Sequence, residues 1–479
     1  MKIGMISLGC PKNLVDSEVM LGLAQRHGHQ LTPHASEADV LVVNTCAFID
    51  SAKQESVDAI LEMAELKKSG RCTRLIVTGC LAERYRDELR QEIPEIDALL
   101  GTGEVEDILA AIGADPSPRR EPSGLIPLLR ANGERVGTGP AAAIAAAPQT
   151  VSRAALPTYL YDATTPRLLA TPRHYAYLKI AEGCDYACAF CIIPTLRGHY
   201  RSRPVESIVA EARALADRGV RELLLISQDT SFYGVDRGQR GDLARLLRAL
   251  NEVDGLEWIR MLYLYPTTIG DDVLEAMAEC QKVARYVDLP LQHASDTVLK
   301  RMKRPGTRAS YERLLARIRN RVPGVTLRTT FIVGFPGETE DDVDELADFV
   351  SAIGFDHLGV FTYSHEEGTS AHDLQDDVPA AVKRRRRARI MGLQKRLVAS
   401  TQRRRVGQQV RLLVDGPSHD HDLVLRARAE GQAPDIDPLV YLTDCDPSLY
   451  TAGQFIQAEI VGSRGYDLLA RPLSGAPEA

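Results

Sequence analysis

Three cysteines within eight residues, in the run Cys184-Asp-Tyr-Ala-Cys188-Ala-Phe-Cys191, carry the most specific chemistry in this sequence. Thiolates are the preferred ligands of iron–sulfur clusters. A compact loop with this spacing can wrap three corners of a cubane cluster and leave the fourth iron without a protein ligand. An open iron is a reaction site, whereas a closed four-thiolate shell stores electrons or supports structure. A structural zinc site is the competing reading, but zinc asks for four ligands, commonly paired as C-x2-C. The nearest further candidates are His174 and His199, and neither stands at a usual spacing.

A second constellation emerges once the elements around the other cysteines are read. Residues 2–8, 39–45 and 74–79 are short apolar runs suited to buried parallel strands, and helical patterns follow them near 14–27, 50–69 and 81–91. This alternation predicts a doubly wound α/β domain, closed by a last pair at 98–101 and 104–112. Cys10, Cys46 and Cys80 then each sit at the carboxyl end of a strand, the edge where open α/β sheets bind ligands. One buried cysteine is an ordinary small apolar residue. Three at one edge point to a site. Cys72, Cys280 and Cys445 match neither pattern and read as structural.

Residues 113–172 are rich in Pro, Ala and Gly and read as a linker without chemistry of its own. From Tyr175 the alternation resumes, with strands expected at 175–181, 222–228, 258–265, 286–292, 326–333 and 357–363. Six such units make a partial (β/α)6 barrel rather than a closed barrel of eight. Residues 379–404 predict a basic helix whose run Lys383–Arg387 is expected to be a solvated face, in preference to an RNA contact. Short alternating runs over 405–472 predict a small β-barrel. The expected organisation is therefore an α/β domain at 1–112, the linker at 113–172, a core at 173–400 and the small barrel at 405–472.

At 479 residues, with 44% hydrophobic and 26% charged side chains, the chain has material for several cores. No apolar run approaches the roughly 20 residues that span a bilayer. The first residues read as a strand and not as a signal peptide, so the expected location is cytoplasmic, with no membrane association. Net charge is −7, which lowers the expectation of a dedicated nucleic-acid binder. Nine cysteines, an odd count in a chain that needs no disulfides, favour metal or catalytic roles for those that cluster.

The motif Cys184-x3-Cys188-x2-Cys191 at the start of a βα barrel resembles the radical S-adenosylmethionine enzymes. That resemblance implies a 4Fe–4S cluster on these three cysteines. It also implies an open iron that chelates S-adenosylmethionine, and Phe190 near the adenine. The whole layout, with a small C-terminal barrel of the TRAM type, resembles the methylthiotransferases, whose N-terminal cysteines hold a second 4Fe–4S cluster. Cys10, Cys46 and Cys80 match those positions. The stretch Ser7–Glu18 (SLGCPKNLVDSE) is similar to the RimO-type branch, which modifies an aspartate of small-subunit ribosomal protein S-twelve. Segments 171–177, 227–231 and 433–437 look alike as well, while 288–293 and 334–338 fit both branches.

The reaction so implied replaces a C–H bond on the aspartate β-carbon with a methylthio group. It uses two S-adenosylmethionine molecules, a sulfur source and an electron donor such as flavodoxin or ferredoxin. The partner would be ribosomal protein S-twelve or the small ribosomal subunit, and the enzyme a monomer. Gln228 and Asp229, and Gln292 and His293, end predicted barrel strands and are candidates to touch the cofactor or substrate. Gly334 can let backbone approach the cofactor closely. Six basic against ten acidic residues over 405–472 suggest a docking surface for a basic protein, with Asp435 and Asp437 in it. Two other readings share the pattern. One is a transfer-RNA adenosine methylthiotransferase with the same cofactors. The other is a non-catalytic iron–sulfur carrier, against which the three-thiolate loop argues.

Overall fold

The apolar runs at the start of the chain form five parallel strands in the computed structural model, which describes residues 1–113, 156–418 and 424–473. They are β1 (Lys2–Ser7), β2 (Gln30–Leu31), β3 (Val40–Thr45), β4 (Arg74–Gly79) and β5 (Ala98–Leu100). Their order across the sheet is β2-β1-β3-β4-β5. Every residue of β3 is buried, as a central parallel strand covered on both faces should be. The short edge strand β2 was not expected; two residues carry too little pattern to be read. Three helices matter for the site: α1 (Pro11–Arg26), α2 (Asp50–Ser69) and α3 (Cys80–Arg84).

The chain divides into two compact units. The first comprises residues 1–171, 181–203 and 366–372. Thus the loop with Cys184, Cys188 and Cys191 belongs to the same unit as the N-terminal sheet. Ile192 and Leu196, just after that loop, share a core with Leu41, Val43, Val77 and Leu81. Of the expected linker, residues 114–155 lie outside the described residues. Its last part is more than a connection. Arg167 pairs with buried Glu18 at 2.6 Å, and the backbone N–H of Ala170 donates to the same carboxylate at 2.7 Å. A buried carboxylate on α1 needed partners, and this segment supplies them.

The second unit comprises residues 172–180, 204–365 and 373–479. Its six parallel strands are Tyr175–Lys179, Glu222–Ile226, Trp258–Met261, Tyr286–Asp288, Thr326–Val333 and His357–Thr362. They form two sheets of three, joined by the bridge Ile259–Val283. Two strands end earlier than the apolar runs suggest. The fourth stops at Asp288 because Pro290 lacks an N–H and Gln292 turns left-handed at φ +74°. The third stops at Met261, ahead of Tyr263 at φ +61°.

The C-terminal strands close into a barrel in the order Gln409–Pro417, Leu425–Ala429, Val440–Leu442, Asp467–Pro472, Phe455–Arg464. Leu412, Val414, Ala427, Val440, Ile456 and Ile460 fill it. Two charge expectations are corrected in part here. Asp437 turns inward and offers no outward docking surface, whereas Asp435 stays exposed while bonding inward. Asp435 accepts from the hydroxyls of Tyr175 and Tyr177 at 3.2 and 3.0 Å, and Asp437 accepts from Tyr286 Oη at 2.7 Å and Arg328 Nε at 3.2 Å. Nor is Lys383–Arg387 wholly a solvated face. In helix Ala380–Arg405, Lys383 is buried on Asp376 at 2.8 Å and Arg386 on Glu338 at 3.0 Å, while Arg384, Arg385 and Arg387 are exposed. Acids on neighbouring loops draw two of the five cations inward. Among the described residues, no helix is long and apolar enough to cross a membrane.

Candidate functional site

The strand order of the N-terminal sheet reverses between β1 and β3, so the crevice beyond their carboxyl ends is the topological switch point where such sheets bind ligands. Cys10 follows β1 as the N-cap of α1, Cys46 follows β3, and Cys80 opens α3 directly after β4. The expected edge is therefore the observed one, and two of its three cysteines flank the switch point.

The turns that carry these thiols are tightly packed. Gly9 has φ +88°, and a Cβ there would stand 2.8 Å from Cys46 Cβ and 3.1 Å from its Sγ. Gly79, at φ +93°, brings its backbone against Asn44 Oδ1, 2.2 Å from where a Cβ would be. Asn13 on α1 ties the turns together. Its Nδ2 donates to the carbonyls of Leu8 at 3.1 Å and Thr45 at 2.8 Å, the residues before Gly9 and Cys46. Cys46 is also held through Ser56, whose Oγ accepts from its N–H and donates to its carbonyl, each at 3.0 Å.

Burial, with a smaller contribution from neighbouring Cys10, pushes the Cys80 thiol up to about 12 and the Cys46 thiol up to about 11. Without a bound cation these groups hold their protons; a metal would have to displace them. The donor set fits an iron–sulfur cluster, with three thiols from three turns of one sheet edge. A cubane takes one thiolate per iron, so its ligands stand around a cluster instead of meeting at one ion. Among the described residues, no group of three His, Cys, Asp or Glu is arranged to hold a single metal ion.

In the second loop Cys184, Cys188, Cys191 and Phe190 are all half-buried. Backbone bonds pin it: Cys184 N–H donates to Gly198 O at 3.0 Å, Cys191 N–H to Cys188 O at 3.1 Å, and Ala371 N–H to Ala189 O at 2.8 Å. Half-exposed thiols on a loop pinned at both ends suit a cluster with one iron left open to a small molecule.

The remaining candidates lie in the second unit. Asp229 is fully buried and caps a turn, accepting from Ser231 N–H at 2.9 Å and Ser231 Oγ at 2.5 Å. Beside it, Gln228 is half-buried. Gln292 holds its left-handed conformation between two ladder bonds to the neighbouring strand, Gln292 N to Thr330 O at 2.9 Å and Ile332 N to Gln292 O at 2.7 Å. A non-glycine residue there costs energy, and such strain gathers at functional sites. His293 is fully buried and neutral, pushed down to about 3 by desolvation, with Nδ1 accepting from Ser295 N–H at 3.0 Å. Its Nε2 stands 3.6 Å from Glu338, the carboxylate that also accepts from Gly334 N–H at 2.7 Å. Glu338 thus joins His293 and Gly334. The side of Gly334 where a Cβ would go is already filled by Lys383, 2.3 Å away.

Family models match three consecutive parts of the chain: "Uncharacterized protein family UPF0004" over residues 2–101, the radical SAM superfamily over 178–350 and the TRAM domain over 406–473. Along its whole length the chain is 47% identical to the ribosomal protein uS12 methylthiotransferase RimO of Koribacter versatilis, covering 98% of this chain and 96% of the relative. The chain belongs to the RimO family. The RimO protein of Myxococcus xanthus is 48% identical over 98% of this chain and 90% of its own length. That of Solibacter usitatus is 47% identical over 100% and 96%. Among solved structures, the radical S-adenosylmethionine methyltransferase TsrM from Kitasatospora setae, with cobalamin and a [4Fe-4S] cluster bound, aligns with a TM-score of 0.51. It is 16% identical and covers 75% of this chain and 72% of its own, a likeness of fold.

Within this RimO-family chain, sequence reasoning missed the buried polar frame of the N-terminal site: Asn13, Asn44, Glu182 and Arg197. A usable signal was present for one of them, since Asn13, Asp16 and Ser17 recur at helical spacing along one face of the helix.

Proposed function

We propose that this chain inserts a methylthio group at the β-carbon of an aspartate of small-subunit ribosomal protein uS12, with Cys10, Cys46 and Cys80 holding one 4Fe–4S cluster and Cys184, Cys188 and Cys191 another. The observation that carries this reading is the pair of separate thiol triads, one at a sheet's switch point and one on a pinned loop, in a chain of the RimO family. When bound, the clusters and S-adenosylmethionine supply the one-electron chemistry that acid–base groups cannot apply to an unactivated C–H bond.

The chain's own residues bind, orient and exclude water. Gly9 and Gly79 let the thiol-bearing turns close on one another, and Asn13 fixes the carbonyls beside two of them. Cys46 and Cys80 are 8% and 4% exposed, so a group held there is kept from bulk water. Cys184, Cys188 and Cys191 stay accessible, as ligands beside an open coordination position must be. Phe190 offers a ring to the adenine; in the second unit Gln228, Asp229, Gln292 and His293 stand at strand ends proposed to orient cofactor or substrate, whereas Gly334 packs on Lys383. Buried and neutral, His293 serves as an orienting group and not as a base. The protein works in the cytoplasm as a monomer, with a flavodoxin or ferredoxin as electron donor.

Mass spectrometry of ribosomal protein uS12 from cells with and without this gene tests the reading. The expected result is a methylthio mass increment on one aspartate that disappears with the gene. An unchanged uS12, with the modification lost from transfer RNA instead, overturns it.

A further inference from the structure

Arg197 lies six residues after Cys191, at the end of the short helix Ile193–Arg197, and its side chain is 2% exposed. Both terminal nitrogens of its guanidinium are used. Nη1 donates to Glu182 at 2.9 Å and to Asp16 at 3.2 Å. Nη2 donates to Asn13 Oδ1 and faces Cys80 Sγ at 3.9 Å. All these residues belong to one unit. The same Asn13 binds the carbonyls ahead of Gly9 and Cys46 through its other end. One buried cation, carried by the segment that also carries Cys184, Cys188 and Cys191, thus reaches the N-terminal thiol site directly at Cys80 and through one amide at the other two turns.

We propose that Arg197 is a positioning residue that sets the electronic state of the N-terminal thiol site. This rests on the reading that Cys10, Cys46 and Cys80 hold a 4Fe–4S cluster. Cluster potentials follow net charge and hydrogen bonds to the ligating sulfurs. A buried cation with an N–H directed at a thiolate stabilises the more negative, reduced cluster, so Arg197 raises its potential. Asp16 and Glu182 hold the guanidinium in place and temper its charge. A merely structural ion pair would leave the potential where it is.

The test uses the full chain with Cys184, Cys188 and Cys191 replaced by Ala, reconstituted with iron and sulfide and titrated with dithionite while the reduced cluster is followed by electron paramagnetic resonance. In that background Arg197→Met should bind as much iron as its parent and titrate at a more negative potential. Arg197→Met removes a cation from two buried carboxylates, so a charge-compensated variant adds Glu182→Gln alone, which leaves the local net charge as in the parent while still removing the N–H at Cys80; it should shift the same way by less. Arg197→Lys should fall between. Bound iron at the parent's potential in either Met variant overturns the proposal. Should neither Met variant fold, Arg197→Lys decides: an unchanged potential overturns it, a negative shift supports it. Absence of iron from the parent itself would instead refute the cluster on Cys10, Cys46 and Cys80, a separate outcome.

Discussion

Arg428, in the small C-terminal barrel, donates to Glu222 at the start of the second strand of the parallel barrel at 2.6 Å, and neither side chain is exposed to solvent. The second oxygen of Glu222 accepts from Arg260 at 2.9 Å, and the rest of the Arg428 fork grips Asp415 at 2.8 and 3.0 Å. Three acids of the small barrel, Asp415, Asp435 and Asp437, thus find partners inside this unit near the amino ends of the parallel strands.

The first prediction follows for Asp437, whose side chain is 1% exposed and accepts from Tyr286 and Arg328. Replacing it by Ala leaves the buried Tyr286 hydroxyl without its acceptor, a loss of about 1–3 kcal/mol, while Arg328 keeps Asp288 at 2.8 Å. Chemical denaturation should show that loss. Asp435→Asn should cost less, since its two hydroxyl partners keep an acceptor. Binding of a basic protein substrate should keep the parent's dependence on salt in Asp435→Asn; a flattened dependence would restore the docking role that the acidic count suggested.

Asp415 gives a prediction in pH. Burial works to raise its carboxyl, but Arg428 and His174 outweigh burial and hold it below the ordinary range. A carboxylate depressed in the folded state stabilises the fold above its unfolded value of about 3.9 and loses that contribution as pH falls through the folded value. Thermal unfolding followed from neutral to acid pH should fall less steeply in Asp415→Asn than in the parent. Parallel curves would mean that Asp415 is not linked to folding.

Much of this was legible in the sequence, for physical reasons. The parallel strands are runs of Val, Ile and Leu between helical patterns, and the cysteines stand where those runs end. The frame around them was not legible. Asn13, Glu182 and Arg197 meet only through tertiary contacts, and Glu182 and Arg197 read as ordinary polar loop residues until burial is known. The acidic count over the small barrel misled at Asp437, because composition records charge and not direction. Lys383 and Arg386 misled in the same way, since one face of a basic helix turns toward Asp376, Glu338 and Glu340.

The turn at Gly9 gives a third prediction. A side chain there meets Cys46 at 2.8 Å in a left-handed conformation that costs roughly 1–2 kcal/mol before any clash. Gly9→Ala should keep the fold of the rest of the chain and lose iron from the N-terminal site. Asn13→Ala leaves the two carbonyls of Leu8 and Thr45 without their donor, at about 1–3 kcal/mol, and should act in the same direction. Iron analysis of the protein lacking Cys184, Cys188 and Cys191 reads both directly.

The last prediction separates the two triads. Anaerobic reconstitution should give about eight irons per chain, four for each cluster. Replacing Cys184, Cys188 and Cys191 by Ala should leave about half, and so should replacing Cys10, Cys46 and Cys80. A Cys46→Ala protein should still cleave S-adenosylmethionine to 5′-deoxyadenosine when reduced, because the other triad sits on its own pinned loop, with Cys184 and Cys191 held by backbone bonds that Cys46 does not touch. It should yield no methylthio product, since the proposed reaction uses both clusters and Cys46 is a ligand of the one at the switch point. Normal product from that variant would refute a two-cluster mechanism. Loss of all iron from either triple variant with the fold intact would show that the two sites do not assemble independently, and the shared residue to examine would be Arg197, which touches Cys80 from the segment carrying the other three cysteines.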